Sequence, residues 1–293
     1  MLSFAPIRYQ SVFAEQGGPI ARVSVATLSI FDRVMTQVNA FLDSTLSEGK
    51  PTYSFYGSAD GTGSSENPAV AQHIAVSEAL ERWAYLATNN SDEANKYGFD
   101  HDRTSNGMAA YPGFKWQARR KARFEALERF ALISWWDGRF PATVTRTSYP
   151  DVGLVHVHHN AGFGEVVILY HKAPTGFVSY GHAAGSNLAS ATSRAAVELM
   201  RCEHVIARHR AQGALEQVTN HMELRCLHFA SAAGHTEFLE RAYAHPDKPA
   251  PRWQTVFDGE IRGPWTHWTT VWRHCVEMPT YDYLNRKLNF FYW

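Results

Sequence analysis

Alternation of apolar and polar positions predicts a strand near the start of the chain and a helix after it. Residues Ile20–Ile30 alternate apolar with small polar side chains, which is typical of a strand. Over 31–46 the apolar residues recur at helical spacing, which predicts a helix; they are Val34, Val38, Phe41, Leu42 and Leu46. Residues 53–56 form a short strand candidate that leads into a glycine-rich loop at 57–65.

Three longer helical patterns follow. The first begins at Asn67-Pro68, since proline is favoured at the first helical position, and extends to about Asn89. The second covers about 115–136 and ends before Gly138, a residue type favoured just beyond a helix C-terminus. The third covers about 190–212. A glycine-containing loop precedes each of them, at 57–65, 104–110 and 183–187.

The remaining patterns predict a sheet, a peripheral helix and a packed aromatic segment. Residues 154–160 and 164–171 flank a glycine-rich hairpin turn, and 176–182 continues the sheet. One helix is predicted over 215–241, and three prolines make 242–252 the most loop-like stretch. The last 29 residues hold nine aromatic side chains, which we expect to be packed rather than frayed.

The pentapeptide Glu-Ala-Leu-Glu-Arg occurs twice, at 78–82 and 125–129, within the first two of these helices. Glutamates three residues apart lie on the same side of a helix, so each copy presents a pair of carboxylates. Each copy alone also fits an exposed helix stabilised by its Glu–Arg pair. Two copies, each beyond a glycine loop, favour a cation site formed by four carboxylates, those of Glu78, Glu81, Glu125 and Glu128.

Composition excludes several classes of function. With 45% hydrophobic residues, a chain of 293 residues is globular and can form one large domain or two closely joined halves; we expect one domain over 1–293. Its 28 basic and 28 acidic residues balance, so net charge predicts neither nucleic acid nor a membrane as partner. Three widely spaced cysteines argue against a disulfide framework or a structural zinc site. Without a secretion signal or a membrane-spanning stretch, we expect a cytoplasmic protein.

At these residues the chain resembles the YcaO superfamily, ATP-dependent enzymes that activate backbone amides of ribosomally made peptides. Three blocks carry the resemblance: residues 57–84 with the first pentapeptide, 105–110 together with 124–136, and 181–198. The resemblance implies an α/β or α+β fold in which two carboxylate-bearing helices lie beside each other at a nucleotide site, flanked by β-sheet layers. It covers roughly residues 50–200 and leaves 201–293 unassigned.

The resemblance also implies cofactors and site residues. The cofactors would be ATP and Mg²⁺, with the metal ions held by Glu78, Glu81, Glu125 and Glu128. The nucleotide contacts would come from Ser77, Arg82, Asn106 and Arg129. No catalytic acid, base or nucleophile is assigned. The chain has no Gly-x-x-x-x-Gly-Lys loop, so phosphate binding would fall to carboxylate-held metal and to arginine.

The reaction that the resemblance implies is ATP-dependent phosphorylation of a peptide amide oxygen after a nucleophile attacks the amide carbon. The product would be an azoline, as in a cyclodehydratase, or a thioamide or amidine. Cleavage of the peptide after the same activation stays open as an alternative. The implied partners are a precursor peptide and a leader-peptide-binding protein, and a homodimer is also left open.

Departures from the family pattern keep a third alternative, an inactive scaffold that binds a peptide or a partner protein. Ile74 stands where the family usually has a serine, and Pro112 interrupts the stretch that follows the Ser-Asn-Gly block. Arg201 replaces a common glutamine. The sequence ends at Trp293, whereas azoline-forming members often end in a proline-rich tail whose carboxylate reaches the active site.

Three other kinds of site fit the sequence less well. His156 and His158 share one side of a strand but lack an acidic or cysteine ligand at zinc spacing, so we expect structural histidines. The glycine loop at 57–63 lacks the acidic residue of a dinucleotide site. A di-iron site needs Glu-x-x-His pairs, whereas Arg82 and Arg129 follow the glutamates here and suit phosphate.

Overall fold

The computed structural model describes residues 4–31, 33–51, 53, 57–105 and 107–293. Its strands are β1 Ile20–Ile30, β2 Arg33–Leu42, β3 Gly61–Ser65, β4 Met108–Tyr111, β5 Ala142–Arg146, β6 Val152–Val157, β7 Glu165–Lys172, β8 Val178–Gly185, β9 Thr255–Ile261 and β10 Thr270–Val276. Its α-helices are α1 Ala5–Arg8, α2 Pro68–Asn89, α3 Lys115–Trp136, α4 Leu188–Ala211, α5 His221–Ala230 and α6 Ala232–Tyr243. The fold class is α+β, with antiparallel sheets.

The chain divides into two compact units. Unit 1 consists of residues 1–51, 58–126 and 254–277, and unit 2 of residues 52–57, 127–253 and 278–293. The boundary after residue 126 falls within α3. Each unit is therefore assembled from separate stretches of sequence, and the expectation of one domain over 1–293 stays a prediction.

Unit 1 contains two antiparallel sheets. In the first, β2 lies between β1 and β3, and α2 packs against β2 and β3. The strand can approach the helix closely because it carries glycine: a Cβ at Gly61 would lie 2.1 Å from the Ala75 carbonyl oxygen. The side of α2 that faces the sheet is correspondingly made of small residues, and Ala71, Ala75 and Ala79 are fully buried. The second sheet has the order β4-β10-β9.

The strand prediction for Ile20–Ile30 is confirmed as β1, but the helix predicted over 31–46 is wrong. Most of that stretch is β2, which pairs antiparallel with β1 after a tight turn in which Phe31 has a φ of 53°. Val34, Val38 and Leu42 are four residues apart, a spacing that places side chains on one side of either a helix or a strand. Pairing with β1 selects the strand.

Unit 2 is built on one antiparallel sheet in the order β5-β6-β7-β8. The predicted hairpin is confirmed as β6 and β7, and β8 continues the sheet. α4 packs against β7 and β8, and a Cβ at Gly181 would lie 2.2 Å from the Ala195 carbonyl oxygen. The Asn187 side chain caps α4 by accepting a hydrogen bond from the Ser190 N–H. Unit 2 thus repeats the glycine-mediated contact of strand and helix seen in unit 1.

The two helices that carry the pentapeptide are confirmed, since α2 and α3 begin and end at the predicted residues. The loops predicted at 57–65 and 104–110 are partly wrong, because they contain β3 and most of β4, which gain partners in β2 and β10. The helix predicted over 215–241 is broken at Ser231, whose side chain caps α6. The loop at 242–252 is confirmed beyond Tyr243. Of the strand candidate at 53–56, residues 54–56 lie outside the described residues.

Packing of the aromatic segment is confirmed in unit 2, where Phe290, Phe291 and Tyr292 are 7, 0 and 3% exposed. The cysteines are buried, and the Sγ atoms of Cys202 on α4 and Cys226 on α5 lie 3.6 Å apart. Among the described residues, no helix is both long enough and apolar enough to span a membrane.

Candidate functional site

The carboxylate pair on α2 faces backbone N–H groups of unit 1. One carboxylate oxygen of Glu78 accepts a hydrogen bond from the Thr62 N–H of β3 at 3.0 Å. One oxygen of Glu81 accepts from the Ala110 N–H of β4, also at 3.0 Å. Both side chains are half-buried. Because they are three residues apart on one helix, they project to the same side of α2 and bond to two different strands.

Negative charge on this pair is poorly compensated. The pKa of Glu81 is raised to about 7, mainly by burial and also by the neighbouring charge of Glu78, although Lys121, the Ala110 N–H and Arg82 act to lower it. A carboxyl with such a pKa is partly protonated at neutral pH. A bound cation would offset this penalty, because it favours the ionised form of Glu81.

The second copy of the pentapeptide places Glu128 in unit 2, with a different electrostatic environment. One oxygen of Glu128 accepts from the Ala184 N–H of β8 at 3.1 Å, and the other lies 2.9 Å from Nδ1 of His182. Burial acts to raise the pKa of Glu128, but the His182 hydrogen bond and the charges of Arg129 and Arg194 outweigh it and lower the pKa. The ionised form of Glu128 is therefore already stabilised by the protein.

Glu81 and Glu128 have equivalent positions in their repeats and equivalent backbone partners. Glu81 on α2 accepts from β4, the strand that leads into α3. Glu128 on α3 accepts from β8, the strand that leads into α4. The repeat in the sequence thus corresponds to a repeat in the structure, in which the second glutamate binds the N–H of the strand before the next helix.

A second equivalence relates β3 and α2 to β8 and α4. Gly61 corresponds to Gly181 and the capping residue Asn67 to Asn187, and the same alignment pairs Glu78 with Glu198. Glu198 forms an ion pair with Arg201 at 2.8 Å, whereas Glu78 forms no such ion pair with the residues that the structure describes.

Two side chains near Glu128 were not assigned as site residues from the sequence. His182 contacts the carboxylate directly, and Arg194 contributes charge to it and donates to the Ala184 carbonyl at 2.6 Å. Both lie in the third block, 181–198, that resembles the YcaO family. Their place in this block is the sequence signal that could have pointed to them.

The predicted nucleotide-binding residues have varied surroundings. Ser77 is 4% exposed; its hydroxyl donates to the His73 carbonyl and shares a hydrogen bond with the Tyr9 hydroxyl, each at 2.7 Å. Arg129 donates a hydrogen bond to the Tyr292 hydroxyl. Arg82 is half-buried beside Glu81. Asn106 lies outside the described residues. These four roles stay predictions.

The predicted metal ligands lie on both sides of the unit boundary: Glu78, Glu81 and the half-buried Glu125 belong to unit 1, and Glu128 to unit 2. Over the described residues, no three His, Cys, Asp or Glu side chains are grouped closely enough to form a ready-made metal site. The donor chemistry of Glu78 and Glu81 nevertheless fits magnesium, which prefers carboxylate oxygens, and the charge of Glu81, only partly compensated by Lys121 and Arg82, favours a cation. The fourfold site stays a prediction.

The histidines at the end of β6 contact one another and an acidic residue. The rings of His156 and His158 are 4.5 Å apart between centroids, and Nε2 of His156 lies 2.7 Å from Glu165. The sequence analysis missed Glu165 because it joins this group through the β6–β7 hairpin. Nε2 of His158 lies 2.6 Å from the Thr143 hydroxyl. Each histidine is thus satisfied within the sheet.

Comparison with known proteins identifies the fold. A chain of the E. coli microcin synthetase McbBCD complex with pro-MccB17 bound superposes with a TM-score of 0.54 over 86% of each chain, at 12% identity. YcaO from Methanopyrus kandleri bound with AMPPCP and Mg²⁺ superposes with a TM-score of 0.56 over 96% of this chain and 91% of that one, at 11% identity. No family model and no curated protein sequence matches the chain. The protein has a YcaO-like fold.

Proposed function

We propose that this protein uses Mg-ATP to activate a backbone amide of a ribosomally made peptide. The observation that supports this function best is the equivalent placement of Glu81 and Glu128, each bonded to the strand before the next helix, within a YcaO-like fold. The Methanopyrus YcaO holds AMPPCP and Mg²⁺, and the microcin synthetase complex holds pro-MccB17. A metal nucleotide and a precursor peptide are therefore the ligands that we infer for this chain.

In this proposal Glu78 and Glu81 hold magnesium in unit 1. Backbone N–H groups of Thr62 and Ala110 fix the orientation of their carboxylates, so the two side chains lose little freedom when a ligand binds. Bound magnesium would neutralise phosphate charge and orient the γ-phosphoryl group. We also propose Arg129 as a phosphate contact, since its guanidinium is a permanent cation with several donors. The ligand roles of Glu125 and Glu128 stay predictions.

The proposed reaction transfers the γ-phosphoryl group of ATP to an amide oxygen of the peptide after a nucleophile adds to the amide carbon. The bond from carbon to that oxygen then breaks, and the oxygen leaves with inorganic phosphate. A side-chain nucleophile of the peptide gives an azoline, and an external sulfur or nitrogen nucleophile gives a thioamide or an amidine. With water as nucleophile, cleavage of the peptide requires the carbon–nitrogen bond to break instead: the amine takes the proton of the added hydroxyl and leaves, and the remaining acyl phosphate is hydrolysed to a carboxylate and inorganic phosphate. A leader-peptide-binding partner would deliver the substrate.

Calorimetric titration of the full chain with AMPPCP, with and without Mg²⁺, tests the nucleotide site before any peptide is known. We expect binding that requires Mg²⁺ and that is lost in Glu78→Gln, because the variant keeps the size of the side chain and removes its charge. Glu93→Gln is the matched control, since Glu93 is an exposed glutamate of unit 1 paired with Lys96. Equal binding by both variants would contradict the assignment of Glu78.

A second candidate function is a scaffold that binds a peptide or partner without using ATP. Ile74 favours it, because an apolar side chain, 37% exposed, stands on α2 where the family usually has a polar one. The same titration separates the two functions. A folded wild-type chain that binds neither Mg-AMPPCP nor Mg-ATP would support the scaffold.

A further inference from the structure

Residues 289–293 are an integral part of unit 2. The Phe291 ring contacts several aromatic rings of the unit, which are Trp135, Trp136, Tyr180, Phe229 and Phe238. The Trp293 ring stacks on Phe229 with an interplanar angle of 22°. The Trp136 indole N–H donates to the Asn289 carbonyl at 3.1 Å. Burial of this much aromatic surface fixes the path of the backbone on both sides of Tyr292.

A buried arginine holds the same backbone from the other side. Arg225 on α5 is 0% exposed, and its guanidinium donates to the carbonyl oxygens of Tyr283 at 2.7 Å and Tyr292 at 3.0 Å. It also donates to the carbonyls of Asn285 and Lys287. Burial lowers the pKa of Arg225 to about 10, so the side chain remains a cation at neutral pH. Tyr292 is therefore held through its carbonyl as well as by its neighbours.

The Tyr292 side chain in turn contacts Arg129, the arginine that ends the second pentapeptide. Nη1 of Arg129 donates to the Tyr292 hydroxyl, and the centre of the guanidinium lies 4.8 Å from the centre of the tyrosine ring. The two contacts together limit the rotation of a long side chain that would otherwise lose much rotamer freedom on binding a ligand. Arg129 also lowers the pKa of Glu128, so it lies within electrostatic range of that carboxylate.

Arg82 provides an internal comparison, because it ends the first pentapeptide. In the described part of the chain, Arg82 makes no hydrogen bond or ring contact of this kind. The aromatic contact is thus specific to the second copy, and the local sequence around the repeat does not account for it.

We propose that Tyr292 is a positioning residue that holds the Arg129 guanidinium ready to bind a phosphate group of the nucleotide. This role rests on the proposed function, and it links Tyr292 to the nucleotide site although a tyrosine is not a conventional phosphate ligand. Because Arg129 is already restrained, binding of a polyphosphate costs less conformational entropy than it would for a free arginine. Tyr292 itself does not touch the nucleotide in this proposal.

A double-mutant cycle in nucleotide affinity tests the role. The dissociation constant of Mg-AMPPCP is measured by calorimetry for the wild type, Tyr292→Phe, Arg129→Met and the double variant. We expect Tyr292→Phe to weaken binding about tenfold, the lower end of the range for one hydrogen bond to a charged group, and Arg129→Met to weaken it at least as much. In the Arg129→Met background, Tyr292→Phe should not weaken nucleotide binding further. If Tyr292 had a merely structural role, its replacement would weaken binding in both backgrounds.

Two controls separate this role from loss of stability. Phe290→Leu perturbs the same segment without touching Arg129, and it should leave the affinity unchanged while lowering the melting temperature. Adenosine, which has no phosphate, should bind wild type and Tyr292→Phe equally if it binds at all. Unchanged Mg-AMPPCP affinity in Tyr292→Phe, or an equal loss in the Arg129→Met background, would overturn the inference and leave the proposed function standing. Absence of Mg-AMPPCP binding by the wild type would overturn both.

Discussion

Replacement of Glu81 by glutamine should make the stability of the protein less dependent on pH. The folded chain raises the pKa of this carboxyl from 4.5 to about 7, mainly by burial. Glutamine keeps the size of the side chain and an oxygen that accepts from the Ala110 N–H. The variant therefore removes the ionisation and preserves the hydrogen bond.

The direction of the effect follows from the two pKa values, 4.5 unfolded and about 7 folded. Below the lower value the carboxyl is protonated in both states, so its ionisation does not oppose folding. Between the two values the unfolded chain loses the proton and the folded chain keeps it, so stability falls as pH rises. Above the folded pKa the carboxyl is ionised in both states, and stability no longer falls with pH through this group.

The size of the effect is bounded by the shift in pKa. One unit corresponds to about 1.4 kcal/mol, so the wild type should lose up to about 3 kcal/mol between pH 5 and pH 8 through this group. Glu81 retains some contact with solvent, which screens its charge, and we expect a measured difference of about 1 to 3 kcal/mol. Relative to the wild type, the free energy of unfolding of Glu81→Gln should therefore rise by this amount between pH 5 and pH 8.

Urea unfolding at pH 5, 6, 7 and 8, at constant ionic strength, measures the free energy of unfolding of both proteins. Glu128→Gln is the matched control, because Glu128 has the same position in the pentapeptide and a lowered pKa. Its carboxylate stabilises the fold above the unfolded pKa, so that variant should be less stable than the wild type at pH 7 and approach it at low pH. Parallel stability curves for Glu81→Gln and the wild type would refute the reasoning.

Three further predictions concern activity and packing. Glu125→Gln should abolish Mg-dependent ATP hydrolysis, measured as phosphate release, without changing the melting temperature, because only the charge is removed; phosphate release at the wild-type rate would count against Glu125 as a ligand. Gly61→Ala should lower the free energy of unfolding by about 2 kcal/mol or more, because the new Cβ would lie 2.1 Å from the Ala75 carbonyl oxygen. Ser58→Ala is its control and should change the free energy of unfolding little, because Ser58 is exposed and lies before β3. Phe291→Ala should cost about 3 to 5 kcal/mol in the same measurement, since the ring is fully buried; a loss below 1 kcal/mol would show that the segment is not part of the core.

The sequence predicts correctly those helices and strands whose hydrophobic pattern fits only one type of secondary structure. α2 and α3 are long, begin and end at recognisable signals, and carry a repeat that fixes which glutamates share a side. β2 was predicted as a helix because Val34, Val38 and Leu42 fit both periods, and only its partner β1 distinguishes them. Local pattern is therefore sufficient for the helices and insufficient for the hairpin.

The surroundings of the candidate site depend on partners that no local pattern reveals. The carboxylates of Glu81 and Glu128 could be chosen from the repeat, but their pKa shifts have different causes: mainly burial, with the charge of Glu78, raises the pKa of Glu81, whereas His182, Arg129 and Arg194 lower that of Glu128. The contact of Arg129 with Tyr292 joins residues 163 positions apart. Such pairings are set by the tertiary fold, so one sequence without its structure cannot supply them.

The discontinuous second sheet of unit 1 has a consequence for the order of folding during synthesis. Its β10 residue Arg273 donates to the Asp102 carbonyl, 171 residues earlier, and β4 has β10 as its partner in the sheet. The ribosome must therefore complete residues 127–253 before β4 can pair. Those residues contain the whole β5-β6-β7-β8 sheet, whose neighbouring strands are consecutive in sequence and form early. β4 is thus made before this four-stranded sheet but paired after it, and it stays without a strand partner on the nascent chain until β10 emerges.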